Sequence, residues 1–313
     1  MSGAAIMLLA LVIDAGLGWP AAVHARIGHP VAWIGALISV LDRALNREDA
    51  SGATRRAAGS FAAFAIIALV GGVSWACSLV IPDGSMGLVL TAVLAWPLVA
   101  AHSMHDHVVA VARPLMEGDL PAARHAVSLI VGRDSSQLDA AGIGRAATES
   151  LAENTSDGIV APLFWGVIFG LPGIATYKAI NTMDSMIGHR TERYEAFGWA
   201  AARIDDAANL IPARLTGLLF AAVSVRPGVA IATMWRDAHQ HRSPNAGWPE
   251  AAMAGALGIR LSGPRIYADR LAPEPWLNAA APDPAPADLN RALALYVRAM
   301  LVVAGGLALL ALL

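Results

Sequence analysis

The residues best suited to chemistry form one dense run in the middle of the chain. It comprises Tyr177, Lys178, Asn181, Asp184, Ser185, Gly188, His189, Arg190, Thr191, Glu192, Arg193 and Tyr194, and continues through Arg203, Asp205, Asp206, Asn209 and Arg214. Lys178 is the only lysine in the chain; every other fixed cation is arginine. A lysine ammonium serves phosphate as a point charge, and arginine adds bidentate clamps. Asp205, Asp206 and Asn209 offer an oxygen-rich face beside those cations. Acids and arginines this close in sequence can also pair with one another as ordinary surface salt bridges. That reading covers some of them, but not the concentration of amides, hydroxyls, histidine and acids between two apolar segments.

A second group precedes an apolar segment: Glu149, Glu153, Asn154, Thr155, Ser156 and Asp157. Glu149, Glu153 and Asp157 recur every four residues, so a helix would set them on one stripe. Like charges on one face repel unless a cation sits among them, and hard oxygen donors suit Mg²⁺. A solvated helix face is the alternative, and the two stand level. A third group is His239, His241, Arg242, Ser243, Asn245 and Glu250. Two histidines without a third ligand are weak grounds for a transition metal, so hydrogen-bonding roles are preferred. A fourth, Asp14 with Gly18, Trp19, Pro20, His29, Pro30 and Gly35, reads by itself as a charge at a helix end followed by turns. His102, His105 and His107 around Asp106 suit an interfacial turn. The chain has no GxxxxGK[ST] loop, helix-opening GxGxxG, HExxH or GxSxG.

The elements that must position these groups lie in a bilayer. The chain has 313 residues, of which 56% are hydrophobic and 15% charged; soluble domains carry about 25% charge. A net charge of −2 leaves no basic field for nucleic acid. The single cysteine, Cys77, excludes an internal disulfide and a Cys-cluster metal site. The first apolar stretch, residues 4 to 23, has no basic region before it and contains Asp14, so it reads as a short span or interfacial helix rather than a signal peptide.

Phe61 to Ile81 is charge-free and long enough to cross about 30 Å of hydrocarbon. Pro82 to Ser85 is a turn, Met86 to Ala101 returns, and Tyr296 to Leu313 is the last span. Ile159 to Ala175 is broken by Pro162, Gly166, Gly170, Pro172 and Gly173, and Leu215 to Val225 is short. Both are expected to be re-entrant or partly inserted. Arginines concentrate between the spans: Arg26, Arg43, Arg47, Arg55 and Arg56, then Arg113, Arg124, Arg133 and Arg145, then seven from Arg226 to Arg291. By the positive-inside rule these loops are cytoplasmic. Five prolines between residues 272 and 288 suggest a stiff linker before the last helix. The expectation is an all-α, polytopic helical membrane protein: one integral-membrane domain, residues 1 to 313, with about four to six membrane segments, some broken or re-entrant, and sizeable cytoplasmic loops.

Two stretches carry a resemblance to a known family. One is Glu149-Ser150-Leu151-Ala152-Glu153-Asn154-Thr155-Ser156-Asp157-Gly158. The other runs from Tyr177 and Lys178 through Asn181, Thr182, Met183, Asp184 and Ser185 to Gly188, His189 and Arg190. With the Asp14 to Gly35 pattern, the Arg203 to Arg214 stretch and the His241 to Glu250 segment, the chain resembles the adenosylcobinamide-phosphate synthase family of cobalamin biosynthesis. The resemblance spans residues 14 to about 267.

It implies an amide-forming ligase of the cytoplasmic (inner) membrane. Such a ligase uses ATP and Mg²⁺ to join (R)-1-amino-2-propanol, or its O-phosphate, to the free propionate of adenosylcobyric acid. Mapped onto this chain, it implies metal ligation by Glu149, Glu153 and Asp157, and catalytic roles for Lys178, Asp184, His189 and Asp205. Asn154, Asn181, Arg190, Arg193, Asn209, Arg214, His241, Arg242 and Asn245 would then bind substrate. The partners implied are the corrinoid, the aminopropanol or its phosphate and the bilayer, with a second copy of the chain or other pathway proteins left open. A membrane carrier or sensor that binds a corrinoid without changing it is the rival reading.

Overall fold

The protein is described by a computed structural model that covers residues 2–132, 134–267, 270–272 and 274–313. Arg133 and Pro273, which enter the sequence reading above, lie outside the described residues, as do the side chains of Arg265 and Arg270.

Among the described residues, four helical stretches are long and apolar enough to cross a bilayer: Gly52–Val80, Ser85–Glu117, Ala140–Ile187 and Pro286–Leu312. A fifth candidate is a broken pair, Gly3–Leu17 and Ala21–Leu45, bent by 107°. The break falls where Gly18, at φ 55°, ends the first helix and Pro20 stands as the N-cap of the next. The expected turn after the first long span is present, with Gly84 at φ 89° before the Ser85–Ala95 helix. The apolar stretch expected to be broken is broken at Gly170, whose φ of 63° and ψ of −146° are non-helical. Two residues on, Pro172 has no N–H to give to the helical ladder. The second weak segment is the Leu210–Ala222 helix of 13 residues. At 1.5 Å per residue it reaches about 20 Å, short of the hydrocarbon thickness.

The chain divides into two compact units. The first comprises residues 1–100, 161–209 and 306–313. Its core gathers Ile38 with Ala62, Ala63 and Ile66 of the Gly52–Val80 helix. Ala179, Ile180, Met183 and Ile187 of the Ala161–Ile187 helix join them, as do Phe197, Ala200 and Ala201. Small residues let the backbones approach closely, as in membrane helix packing. At Gly59 a Cβ would collide with the Phe197 carbonyl, so only glycine fits there.

The second unit comprises residues 101–160 and 210–305. The Gly247–Leu257 helix is buried on nearly every face and packs on the Leu210–Ala222 and Pro227–Asp237 helices. Asp119 and Asp139 cap the Leu120–Ser128 and Ala140–Thr155 helices by accepting the backbone N–H of Ala122 and Gly142. Among its described residues this unit also holds four short strands. Leu261–Ser262 pairs antiparallel with Trp276–Leu277, and Arg265–Tyr267 with Arg270–Ala272. The helical class holds, but these strands lie outside the sequence reading. Runs of two or three residues carry no alternating period to detect. The proline-rich stretch 272–288 contains the Trp276–Leu277 strand and Asp283, which pairs with both Arg145 and Arg260.

Candidate functional site

In the first unit the helix resumes after the Gly170 break, and the spacing of Tyr177, Asn181 and Asp184 puts them on one face. Asp205 and Asp206 come from the last turn of the Trp199–Ala208 helix, with Asn209 at its C-cap. A buried chain of hydrogen bonds joins the two elements. The Tyr177 hydroxyl donates to Oδ1 of Asn209 at 2.8 Å, and Nδ2 of Asn209 donates to Oδ2 of Asp205 at 3.0 Å. Tyr177, Asn209 and Asp205 are all buried. The other oxygen of Asp205, Oδ1, is also buried and, among the described residues, has no partner at regular hydrogen-bond geometry, although the Asn181 amide lies close enough to act on the carboxyl.

Burial pushes the Asp205 carboxyl up to about 7, and the neighbouring charges of Asp184 and Asp206 add to the effect, against the amides of Asn209 and Asn181. Asp206 is also raised, first by burial, although Arg203 and Arg190 oppose it. Arg203 Nη1 meets Asp206 Oδ2 at 2.9 Å. The structure therefore brings Asn181, Asp184, Asp205, Asp206 and Asn209 together, with Arg190 and Arg203 at the edge. Lys178 is half-buried one residue after Tyr177, and His189 and Arg190 are exposed in the following turn. Beside this network, a cavity of about 530 Å³ lies between the Ala161–Ile187 and Trp199–Ala208 helices. Its walls are almost wholly apolar, with Trp165, Phe169, Ile180 and Ile204 among them.

Arg193 is held elsewhere in the same unit. Its Nη2 meets Asp42 Oδ2 and its Nη1 meets Glu48 Oε1, both at 2.9 Å. Its carbonyl accepts from Asn46 and Arg55. Asp42 keeps the Arg193 guanidinium charged more firmly than usual. Asp42 is a buried acid that sequence reasoning missed. The available signal was an acid four residues before Asn46 in an amphipathic helix; Asn46 Nδ2 donates to Asp42 Oδ1 at 2.9 Å.

The remaining predicted residues belong to the second unit. The three acids at four-residue spacing differ in setting. Glu149 is buried and accepts the Ser262 backbone N–H at 2.7 Å, Glu153 is exposed, and Asp157 is half-buried. Among the described residues, no group of three or more His, Cys, Asp or Glu side chains is placed to hold a metal ion. The helix carrying Glu149 and Glu153 passes into a π-turn, Ser156–Val160, that contains Asp157. Such turns are rare and recur at functional sites. The Ser156 hydroxyl there is buried and has no hydrogen-bond partner among the described residues. Asn154 is exposed, with Nδ2 donating to the Ser150 carbonyl at 2.9 Å.

Arg214 stacks over Trp248 at 4.3 Å and donates to the Leu210 carbonyl. His241 Nδ1 accepts the Ser243 N–H at 3.0 Å, and its Nε2 lies 3.7 Å from buried Glu250. Arg242 is exposed, 4.0 Å from Glu274, whereas Asn245 is buried. Asp237, a further buried acid missed in sequence, is opposed by burial but held below the usual carboxylate range by Arg236 and the Asn278 N–H. It fastens the Pro227–Asp237 helix to the turn at Asn278.

Apolar helices long enough to span a bilayer, a glycine break and a buried amide–carboxylate network define a multi-pass membrane protein with an internal polar site. The chain belongs to the CobD/Cbib protein family, whose profile matches residues 7–296. It is 65% identical over 300 residues to the cobalamin biosynthesis protein CobD of Rhodobacter capsulatus, covering 96% of this chain and 95% of the relative. The protein of that name from Brucella suis is 45% identical over 308 residues, covering 96% and 94%. That from a Sinorhizobium species is 46% identical over 311 residues, covering 96% and 95%. No solved structure matches the chain.

Proposed function

We propose that this chain works in cobalamin biosynthesis as an ATP-dependent ligase. It joins (R)-1-amino-2-propanol, or its O-phosphate, to the free propionate of adenosylcobyric acid. Family membership supports the pathway. The observation that carries the chemistry is the buried Asp205 carboxylate, positioned through Asn209 and Tyr177 and raised to about 7. Carboxyl groups with such raised values are suited to general-base work at neutral pH.

A carboxylate and an amine do not condense unaided in water. Attack of the propionate oxygen on the terminal phosphate of ATP gives an acyl phosphate and releases ADP. Attack by the neutral amine then forms the amide and releases phosphate, and the amine's proton passes to a base. Mg²⁺ enters this reading with ATP as substrate, neutralising phosphate charge. Mg²⁺ keeps most of its waters and needs only one or two protein carboxylates.

In this assignment Asp205 takes the amine proton, with exposed His189 as the alternative base, and Asp184 sets the local field. Lys178 and Arg190 meet phosphate. Arg193 braces the loop through Asp42 and Glu48, and Asn209 holds Asp205 rather than substrate. Asn181, Asn154, Arg242 and Asn245 suit the amide-rimmed corrinoid or the aminopropanol phosphate. The membrane is proposed to be the cytoplasmic one, with the arginine-rich loops inside. A turnover assay that follows corrinoid mass and nucleotide products together tests the reading.

A further inference from the structure

A pocket in the second unit is lined by none of these residues. It has a volume of about 160 Å³ and is lined by Ser224, Leu257, Arg291, Leu295 and Arg298, among others. A third arginine, Arg226, follows the lining residue Val225, and its Nη1 lies 3.5 Å from the position a Cβ would take on Gly258, next to the lining residue Leu257. Arg291 is partly committed: it pairs with Asp288 and donates to the Leu257 carbonyl at 2.8 Å. Arg298 donates through Nε to the Ala294 carbonyl at 3.1 Å. Among the described residues neither Arg298 nor Arg226 has an acidic partner. Two guanidinium groups line the pocket and a third lies beside the lining residue Leu257, while the acid Asp288 pairs with Arg291 alone.

The setting bears on which anion would suit these arginines. Arg298 lies in the Pro286–Leu312 helix, a candidate membrane span, near the start of its charge-free apolar run. Past it, Leu301 and Val302 are exposed, as is Val225 at the pocket rim. A guanidinium at the start of a span snorkels to the interface, where a counter-charge is favoured. We propose that this pocket binds the phosphate of an anionic phospholipid. The headgroup would sit among Arg226, Arg291 and Arg298, and an acyl chain would run along the exposed apolar strip at Leu301 and Val302. A phosphate group is small enough for the pocket, and the strip favours a lipid over free phosphate as its source.

The test uses the full chain in detergent, with binding of phosphatidylglycerol, phosphatidylcholine and inorganic phosphate each followed by native mass spectrometry and thermal shift. Phosphatidylglycerol should bind one to one and at least tenfold more tightly than phosphatidylcholine. R298Q and R226Q should each weaken it by about tenfold, while R298K, which keeps the charge, should retain most of the binding. An unchanged elution profile and melting temperature without lipid would show that the variants fold. Equal binding of the two lipids, or wild-type affinity in both R298Q and R226Q, would overturn the proposal. So would saturable binding of inorganic phosphate that phosphatidylglycerol does not displace. None of these readouts depends on ligase activity.

Discussion

Asn209 donates its side-chain amide to Asp205 Oδ2 at 3.0 Å while its own oxygen is taken by the Tyr177 hydroxyl at 2.8 Å. Both ends of the amide are used, so Asn209 has one orientation, and so does the carboxylate it holds. Replacing it with alanine would strand a buried hydroxyl and a buried carboxylate oxygen. N209A should lower stability by about 1–3 kcal/mol, and Y177F by about 1 kcal/mol. Thermal unfolding in detergent measures both. Equal, negligible shifts would mean that the network does not hold Asp205.

Asp205 gives two pH effects of opposite sign. Its carboxyl is raised to about 7 in the folded protein, chiefly by burial, so between the unfolded value near 4 and 7 the folded state binds more protons than the unfolded state. Stability from this group is therefore highest at low pH and is lost as pH rises through 7. Activity that needs the ionised base rises over the same range. Melting temperatures of wild type and D205N between pH 5 and 8 should converge at the acid end and diverge at the alkaline end, with D205N the more stable. Parallel curves would contradict the assignment.

The two acids on Arg193 are not equivalent. Asp42 is buried and Glu48 exposed. D42N should lower the melting temperature clearly, because it disturbs an interior pair that also holds Asn46, whereas E48Q should leave it nearly unchanged, as exposed pairs contribute little. A larger loss in E48Q would reverse the ranking.

Glu149 and Glu153 should separate by phenotype. E149A leaves the buried Ser262 N–H without an acceptor and should cost about 1–3 kcal/mol, measured by thermal unfolding. E153Q alters an exposed residue, so membrane insertion and melting should be intact while turnover is abolished if Glu153 serves the Mg–nucleotide. Normal turnover in E153Q would remove it from the reaction.

Much of this arrangement was legible in the sequence, because it rests on local signals. Apolar run lengths mark the spans, Pro82 to Ser85 marks the turn, and the glycines and prolines between Pro162 and Gly173 mark the break found at Gly170. The run from Tyr177 to Asn209 announced its own density of polar groups. What stayed hidden depends on contacts distant in sequence. Arg193 finds Asp42 across 151 positions, and Ser262 finds Glu149 across 113. No periodicity encodes such pairs. The π-turn at Ser156–Val160 was invisible for another reason: one residue of extra helical width has no compositional mark.

The central claim is most directly tested by turnover of the purified protein in liposomes with adenosylcobyric acid, aminopropanol phosphate, ATP and Mg²⁺. Corrinoid mass and nucleotide products are recorded together, with D205N alongside. The account predicts a mass gain equal to amide formation, one nucleotide cleaved per corrinoid, and at least a hundredfold loss of rate in D205N, in keeping with the contribution of a general base. Corrinoid that binds to folded protein and is recovered unchanged would contradict it and favour a carrier or sensor.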